Sequence, residues 1–529
     1  MQLPMLPIRF LHRAQSLYPD KAAVVCQGVV EDYTEFQRRV NQLSWALLHA
    51  GVQQGDRVAY LAFNCHRMIE GYYGVPQIGA VLLCLNVRLH ADEIAFILND
   101  ASPKILVVSP ALLPIWDTIA ERCPSVQDVW LMEDDDTPHP YPSYDSKLQN
   151  EPHTSPDLPM IDENDVAELF YTSGTTGSPK GVMMTYRNLY AHAMSILATL
   201  HLTDDVVQIV GTVPLFHVNA WGSPHYLVAL GATQVVVPRF DPTLFGQAVE
   251  QYRATHALLV PTMLTALLNS QAMDHYDFSS LQQIILGGAA TAYPLIEEGR
   301  ARLGCECIVG YGLTETCPIV TIAYVKQPLK SLPPHEQARL QALTGLPAVG
   351  IEVEILNNDG QPIPHDGVHS GELAVRADSV MKGYWNRPDE TAKVFRNGWF
   401  VTGDIAVIDA EGYINIVDRK KDIIISGGEN ISSLHVEDVL YAHPDVMEVA
   451  VIGIPDPKWG EIPHAVVVPK EGKALTAQDL DTFCRSRLGG FEVPKSWEIV
   501  SALPKTGTGK IMKHVLREKF WSGHDTRVI

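Results

Sequence analysis

The segment Tyr171–Gly181 reads YTSGTTGSPKG. Gly174, Gly177 and Gly181 let the backbone turn tightly and aim N–H groups at an anion. Ser173, Thr175, Thr176 and Ser178 add hydroxyl donors, and Lys180 adds a positive charge. An apolar run ending at Thr172 enters the segment as a strand, and a helical pattern starts at Tyr186. This is a phosphate cradle in type, but not a Walker A loop, which needs G-x-x-x-x-G-K-[ST]. A second glycine-flanked lysine, Lys510, stands in TGTGKI. A third segment, Pro214–Gly222 (PLFHVNAWG), follows the strand-like run Val206–Val213, so it lies at a strand's C-terminal end, where α/β sites cluster. It contains no lysine or arginine, which favours a neutral apolar ligand there.

In this order the first segment resembles the signature of the AMP-forming adenylate enzymes, which include acyl-CoA synthetases, firefly luciferases and the adenylation domains of peptide synthetases. Further motifs follow in that family's order: Gly310–Glu315 (GYGLTE), Tyr384-Trp385, Gly398–Asp404 (GWFVTGD), Asp418–Asp422 (DRKKD), Ser426–Asn430 (SGGEN) and Pro504–Ile511 (PKTGTGKI). The resemblance covers nearly the whole chain. Asn219-Ala220-Trp221-Gly222 is similar to the fatty-acyl-CoA synthetase branch, and also to ligases for short thioether or branched acids.

The chemistry implied is activation of a carboxylate, which is a poor acyl donor because its leaving group would be oxide. Attack on the α-phosphate of ATP gives an acyl adenylate, with AMP as a better leaving group. Two anions must meet, so the protein's part is charge neutralisation and positioning. The resemblance implies Lys510 as the adenylation lysine, spanning acyl carboxylate and α-phosphate with one compact charge. It implies Glu315 and Thr175 as oxygen ligands of Mg2+. Thr172, Ser173, Gly174, Thr176, Gly177 and Lys180 would surround the phosphates, with Thr314 and Gly312 facing them. Tyr311 would offer its ring to adenine beside Gly288 and Ala289, and Asp404, reinforced by Arg419, would accept from the ribose hydroxyls. His217 would border the acyl carboxylate, and Trp221 with Gly287 would bound the acyl pocket.

The tail after Asp418 resembles the family's mobile C-terminal domain. In such enzymes one lid orientation presents the lysine, and the other presents the SGGEN loop to a pantetheine thiol. Lys421 falls at the hinge position, and Gly427 and Gly428 would line the thiol tunnel, where only backbone fits. The implied function is ATP-dependent activation of a carboxylic acid, a medium- or long-chain fatty acid first, with pyrophosphate release and then transfer to CoA. The alternatives are a ligase for an aryl or short thioether or branched acid, or acyl transfer to an acceptor other than CoA. A non-enzymatic nucleotide sensor would have lost Lys510, Glu315 or Asp404, and all three are present.

These residues need a frame. Strand-like runs such as Ala22–Cys26, Ile105–Ser109, Ala167–Thr172, Ala257–Val260 and Gln283–Leu286 alternate with helical stretches such as Tyr33–His49, which implies α/β architecture with largely parallel pairing. Near Gly345 the pattern changes to short strands joined by hairpin turns at Asn358-Asp359-Gly360 and Asp409–Gly412. The expected division is a body over 1–418, whose residues from about 345 to 418 form a β-rich subdomain, and an α+β lid over 419–529.

Composition sets the limits. The 529 residues carry a net charge of −21, which excludes a protein that holds nucleic acid over a broad basic surface. Residues 419–529 are neutral, and the stretch Glu133–Glu163 has nine acids against the single base Lys147, so it reads as a solvated acidic connector. Eight cysteines with no CxxC pair argue for a reducing, cytoplasmic setting. The start, MQLPMLPIRFLHRAQ, lacks a basic segment followed by a long apolar run. The best membrane candidate, Val75–Val87, is short and holds Gln77 and Asn86, so a buried element is expected. The expected partners are the acid, ATP and CoA. A homodimer is compatible with the sequence, which does not specify the oligomer.

Overall fold

The computed structural model describes residues 3–132, 140–157, 160–172, 179–427, 429–505 and 511–521. Among the described residues the strands form four sheets. In the largest, Glu306–Gly312, Gln283–Leu286, His256–Leu259, Val207–Val210, Thr233–Val236 and Ala22–Cys26 lie side by side and parallel. Antiparallel strands close both edges, Ile319–Ile322 with Leu346–Pro347 at one and Val29–Asp32 at the other. In the second sheet Val166–Thr172, Val81–Cys84, Arg57–Leu61, Ile105–Val108 and Asp128–Leu131 run parallel, and Lys180–Thr185 adds antiparallel to Val166–Thr172. The chain is thus α/β with a large parallel-rich body.

Local chemistry explains the clearest elements. The helix Tyr33–His49 starts where Asp32 accepts from the backbone N–H of Glu35 at 2.7 Å. Its Phe36, Val40, Leu43 and Leu47 recur at helical spacing and are fully buried. Val75–Val87 is buried, as expected: the end of the helix His66–Gln77, a turn, and the strand Val81–Cys84.

The acidic stretch departs from a solvated loop. Its described part holds the short helix Tyr144–Leu148, whose Tyr144 is fully buried and donates to Glu70 Oε2 at 2.7 Å. Asp145 pairs with Arg39 at 2.7 Å and Arg67 at 2.6 Å. The carbonyls of Glu151, His153 and Thr154 accept from Gln42, Asn41 and Trp45. The segment is a strap along the helix Tyr33–His49, and part of its charge neutralises buried arginines.

Beyond Gly345 the strands Glu352–Leu356, Gly371–Arg376, Trp399–Ile408 and Ile414–Arg419 pair antiparallel. Trp399–Thr402 and Ile405–Asp409, read separately from sequence, belong to one long strand. The last sheet is built on the hairpin Val446–Asp456 and Gly460–Pro469, with helices Ser433–Tyr441, Ala477–Arg485 and Lys513–Trp521. Its two apolar clusters draw on residues between Ile424 and Phe520, and the other four clusters on residues between Leu6 and Ile416. Among the described residues no helix is long and apolar enough to cross a membrane.

Candidate active site

The phosphate segment falls between two antiparallel strands, Val166–Thr172 and Lys180–Thr185. Thr172 and Lys180 face each other in register. The strand Lys180–Thr185 was not expected from the sequence, and it pairs with Val166–Thr172. Ser173, Gly174, Thr175, Thr176 and Gly177 lie outside the described residues, as do Gly428 and Lys510. The hairpin base is fixed by Tyr171, which donates to Asp100 Oδ2 at 2.6 Å, and by the N–H of Trp385, which donates to the Gly181 carbonyl at 2.7 Å. Lys180 pairs with Glu390 and sits over the Tyr384 ring, 5.3 Å from its centroid. Tyr384 in turn donates to Glu315 Oε1 at 2.8 Å. Burial, reinforced by the Glu315 charge, pushes the Tyr384 hydroxyl well above the usual phenol range, so it stays a donor. Thr314 and Glu315 lie on the short turn Thr314–Thr316 that follows the strand Glu306–Gly312.

Three expected nucleotide residues meet directly. Tyr311 donates to Asp404 Oδ2 at 2.6 Å, and Arg419 Nε lies 3.2 Å from Asp404 Oδ1. Asp404 and Arg419 are cross-strand partners, so the sheet register sets their pairing. Asp404 is 4% exposed. Burial raises the Tyr311 hydroxyl far above its ordinary value, and the Asp404 charge adds to this. Gly288 and Ala289 follow the strand Gln283–Leu286 and are exposed, within a turn whose Gly288 has φ +79°.

The acyl-side segment is buried. Leu215, Phe216, Val218, Ala220 and Trp221 are all under 9% exposed, and His217 is half-buried. Val218, Asn219, Ala220 and Trp221 have φ of +41°, +44°, +44° and +57°, a left-handed turn closed by Gly222. Non-glycine residues in that region cost roughly 1–2 kcal/mol each, so the turn is strained and its surroundings must hold it. Trp221 packs on Gly287: a Cβ placed there would come within 2.7 Å of both the indole and the Gly310 carbonyl. Trp221, Gly287 and Gly288 therefore share one wall.

The segment Asp418–Asp422 is tied on both sides. Toward the body, Arg419 meets Asp404 and Lys420 pairs with Glu372 at 3.1 Å. Toward the C-terminal sheet, Asp418 Oδ2 accepts from the N–H of Ser433 at 2.6 Å and Asp422 pairs with Arg517 at 2.7 Å. Lys421 is half-buried between them, and burial lowers its pKa. Gly427 has φ +60°, and a Cβ there would come within 2.7 Å of the Trp459 ring.

A model of the AMP-binding enzyme family matches residues 11–385, and a model of the AMP-binding enzyme C-terminal domain matches residues 435–510. The chain belongs to the AMP-binding enzyme family. It is 36% identical to the 4-hydroxybutyrate–CoA ligase 2 of Metallosphaera sedula, covering 97% of this chain and 94% of that one. It is 38% identical to the long-chain-fatty-acid–CoA ligase of Thermus thermophilus, covering 97% of this chain and 95% of that one. The crystal structure of an anthranilate CoA ligase with anthranoyl-AMP superposes with a TM-score of 0.88 at 24% identity, covering 98% of this chain and 99% of that one, and shows the common fold. The chain is thus an AMP-forming acyl-CoA ligase, an acid–thiol ligase that uses ATP, Mg2+ and CoA.

In this AMP-binding enzyme the Mg2+ requirement fits the donor set. Glu315 supplies a carboxylate, the hard oxygen donor Mg2+ takes, and its Oε2 accepts no hydrogen bond from a described residue. Bound there, the ion would neutralise charge on the triphosphate. The sequence reading cited Tyr384 only as a motif residue and missed Glu390 and Glu168. Tyr384 and Glu390 orient Glu315 and Lys180, and no local spacing could show this because the partners are 69 and 210 residues apart. Glu168 Oε1 lies 2.6 Å from His225 Nε2, fully buried under the acyl-side turn.

Proposed function

We propose that this ligase activates a neutral, apolar carboxylic acid, with medium- and long-chain fatty acids as its substrates. The observation that carries this reading is the acyl-side wall: Leu215 and Phe216 lead into the left-handed turn, whose Val218, Ala220 and Trp221 are buried with them, and the turn holds no lysine or arginine. A charged group on the acid would be desolvated against these apolar side chains. The likeness to the Thermus thermophilus long-chain-fatty-acid ligase supports the same class. A second reading, an aryl or short thioether or branched acid, is favoured by Trp221 seated on Gly287, which shortens the space beside the carboxylate position. An acceptor other than CoA is a further alternative.

The residue roles follow. The acid's carboxylate oxygen attacks the α-phosphorus and pyrophosphate leaves. The thiolate of CoA then attacks the acyl carbon and AMP leaves. Lys510 serves the first step by bringing the two anions together. Asp404, oriented by Tyr311 and Arg419, accepts from the ribose hydroxyls, and Gly288 and Ala289 lie along the adenine. Glu315 with Thr175 would hold Mg2+, which would neutralise phosphate charge there, and His217 borders the reacting carboxylate. The chain divides into a body over 1–418 and a lid over 419–529, with the β-rich part at about 345–418. Separate apolar clusters on the two sides of Asp418 support that cut. Lys421 absorbs the rotation between two lid orientations, and Gly427 and Gly428 line the thiol path. A cytoplasmic location is supported by eight cysteines, none of them in a disulfide. A homodimer is the assembly to test first.

The test is pyrophosphate release across short, medium, long and aromatic acids with ATP, Mg2+ and CoA. Highest kcat/KM among acids of medium or long chain is expected. A preference for aromatic acids by tenfold or more (about 1.4 kcal/mol) would replace the fatty-acid reading with the second one.

A further inference from the structure

One buried group lies beneath the acyl-side turn with no part in the chemistry above. Glu168 is fully buried on the strand Val166–Thr172, the strand that leads into the phosphate hairpin. Its two carboxylate oxygens go to two different places. Oε2 accepts from Asn219 Nδ2 at 3.1 Å, and Oε1 lies 2.6 Å from His225 Nε2. Asn219 is in the middle of the left-handed turn and His225 is on the helix Ser223–Leu230 that follows it, so one carboxylate spans the turn.

The flanks of this loop are held by backbone contacts. Asn64 Oδ1 accepts from the Leu215 N–H at 2.9 Å, Tyr72 donates to the Leu215 carbonyl at 2.5 Å, and Tyr73 donates to the Pro224 carbonyl at 2.9 Å. Between these fixed points the chain carries four consecutive non-glycine residues at positive φ. A backbone in that state relaxes unless its neighbours over-determine it. The tether from Asn219 to Glu168 is placed at the centre of the strained stretch, two residues before the indole that packs on Gly287. A buried carboxylate is costly, and a fold keeps one where it is paired and hydrogen-bonded. Here both oxygens are used to hold one turn.

We propose that Glu168 is a positioning residue for acyl selection, acting through Asn219 to hold the left-handed turn that seats Trp221 on Gly287. The inference rests on the reading of Trp221 as a wall of the acyl pocket. Glu168 is fully buried and acts through the turn above it. It sets the shape of the pocket, so its loss changes which acid is accepted more than how the nucleotide is bound. Glu168 lies on the strand Val166–Thr172, which pairs with Lys180–Thr185.

The experiment measures kcat and KM for pyrophosphate release over acids of rising length, and KM for ATP. It uses the full chain as wild type, Trp221→Ala, Asn219→Ala, Glu168→Gln and the double variant Trp221→Ala/Asn219→Ala. Asn219→Ala removes the tether and keeps a Cβ at a φ that the neighbouring Ala220 already adopts. Glu168→Gln keeps the volume and leaves one acceptor oxygen in place of two. The expected result is a shift of about threefold or more in the long-to-short kcat/KM ratio for Asn219→Ala and for Glu168→Gln, in the direction given by Trp221→Ala, with ATP KM within about twofold. The double variant is expected to match Trp221→Ala. If Asn219→Ala does not fold, Glu168→Gln carries the same expectation. A changed profile in Trp221→Ala with unchanged profiles in Asn219→Ala and Glu168→Gln overturns the role of Glu168 and leaves the pocket reading intact. An unchanged profile in Trp221→Ala overturns the pocket reading, and the inference with it.

Discussion

The hydroxyl of Tyr311 donates to Asp404 Oδ2 at 2.6 Å across 93 residues of chain, joining the end of the parallel sheet to the β-rich strands. Asp404 Oδ1 faces Arg419 at 3.2 Å, so among the described residues each carboxylate oxygen has one hydrogen-bond or ion-pair partner, which leaves lone-pair capacity for a diol. This arrangement turns a sequence motif into an oriented acceptor.

Tyr311→Phe keeps the ring and removes the donor. Hydrogen bonds to a charged group contribute about 1.5–3 kcal/mol, and Arg419 still orients the other oxygen, so the low end applies. KM for ATP should rise roughly tenfold, with a smaller change in KM for the acid. Initial rates at varied ATP check this, and an unchanged KM for ATP would detach Tyr311 from the nucleotide.

Gly427→Ala places a Cβ where φ is +60° and the Trp459 ring is 2.7 Å away. Either the loop shifts or the ring does, and both alter the SGGEN segment. Thioester formation from supplied acyl-AMP should fall about tenfold or more, while acyl-AMP formation stays near wild type. Equal losses in both would place Gly427 outside the thiol step.

His192 is buried beside Gly222, and burial lowers its pKa to about 3, with His225 adding a smaller push in the same direction. The unfolded chain binds a proton near pH 6.5 that the folded chain refuses. Between pH 6.5 and about 3 the unfolded state therefore holds more protons, and stability falls on acidification by up to about 1.4 kcal/mol per pH unit from this group. Urea midpoints at pH 7 and pH 5 should show the drop, and His192→Gln should flatten it.

Elements with local causes were legible in the sequence. Tyr33–His49 was readable because its apolar residues recur at helical spacing and Gly51 follows as a stop, and Gln283–Leu286 because it is a short apolar run. The strand Lys180–Thr185 was not readable: it opens with Lys-Gly and exists because it pairs with Val166–Thr172. The motif residues were legible one by one, and the structure brings Tyr311, Asp404 and Arg419 together, as it does Trp221 and Gly287. What binds those groups was hidden. Glu168 meets His225 57 residues away, Arg39 meets Asp145, and Lys180 meets Glu390, and such pairs leave no periodic trace. The strap from Tyr144 to Thr154 read as solvated because its acids outnumber its bases, and its buried partners lie elsewhere in the chain.

The central claim is that one lysine serves one of two half-reactions in a single active site. Lys510→Ala tests it most directly, assayed separately for acyl-AMP formation from acid and ATP and for acyl-CoA formation from supplied acyl-AMP. The first activity should fall by a factor on the order of 10³, and the second should stay within about threefold of wild type. Equal loss of both half-reactions, or retention of both, would contradict it.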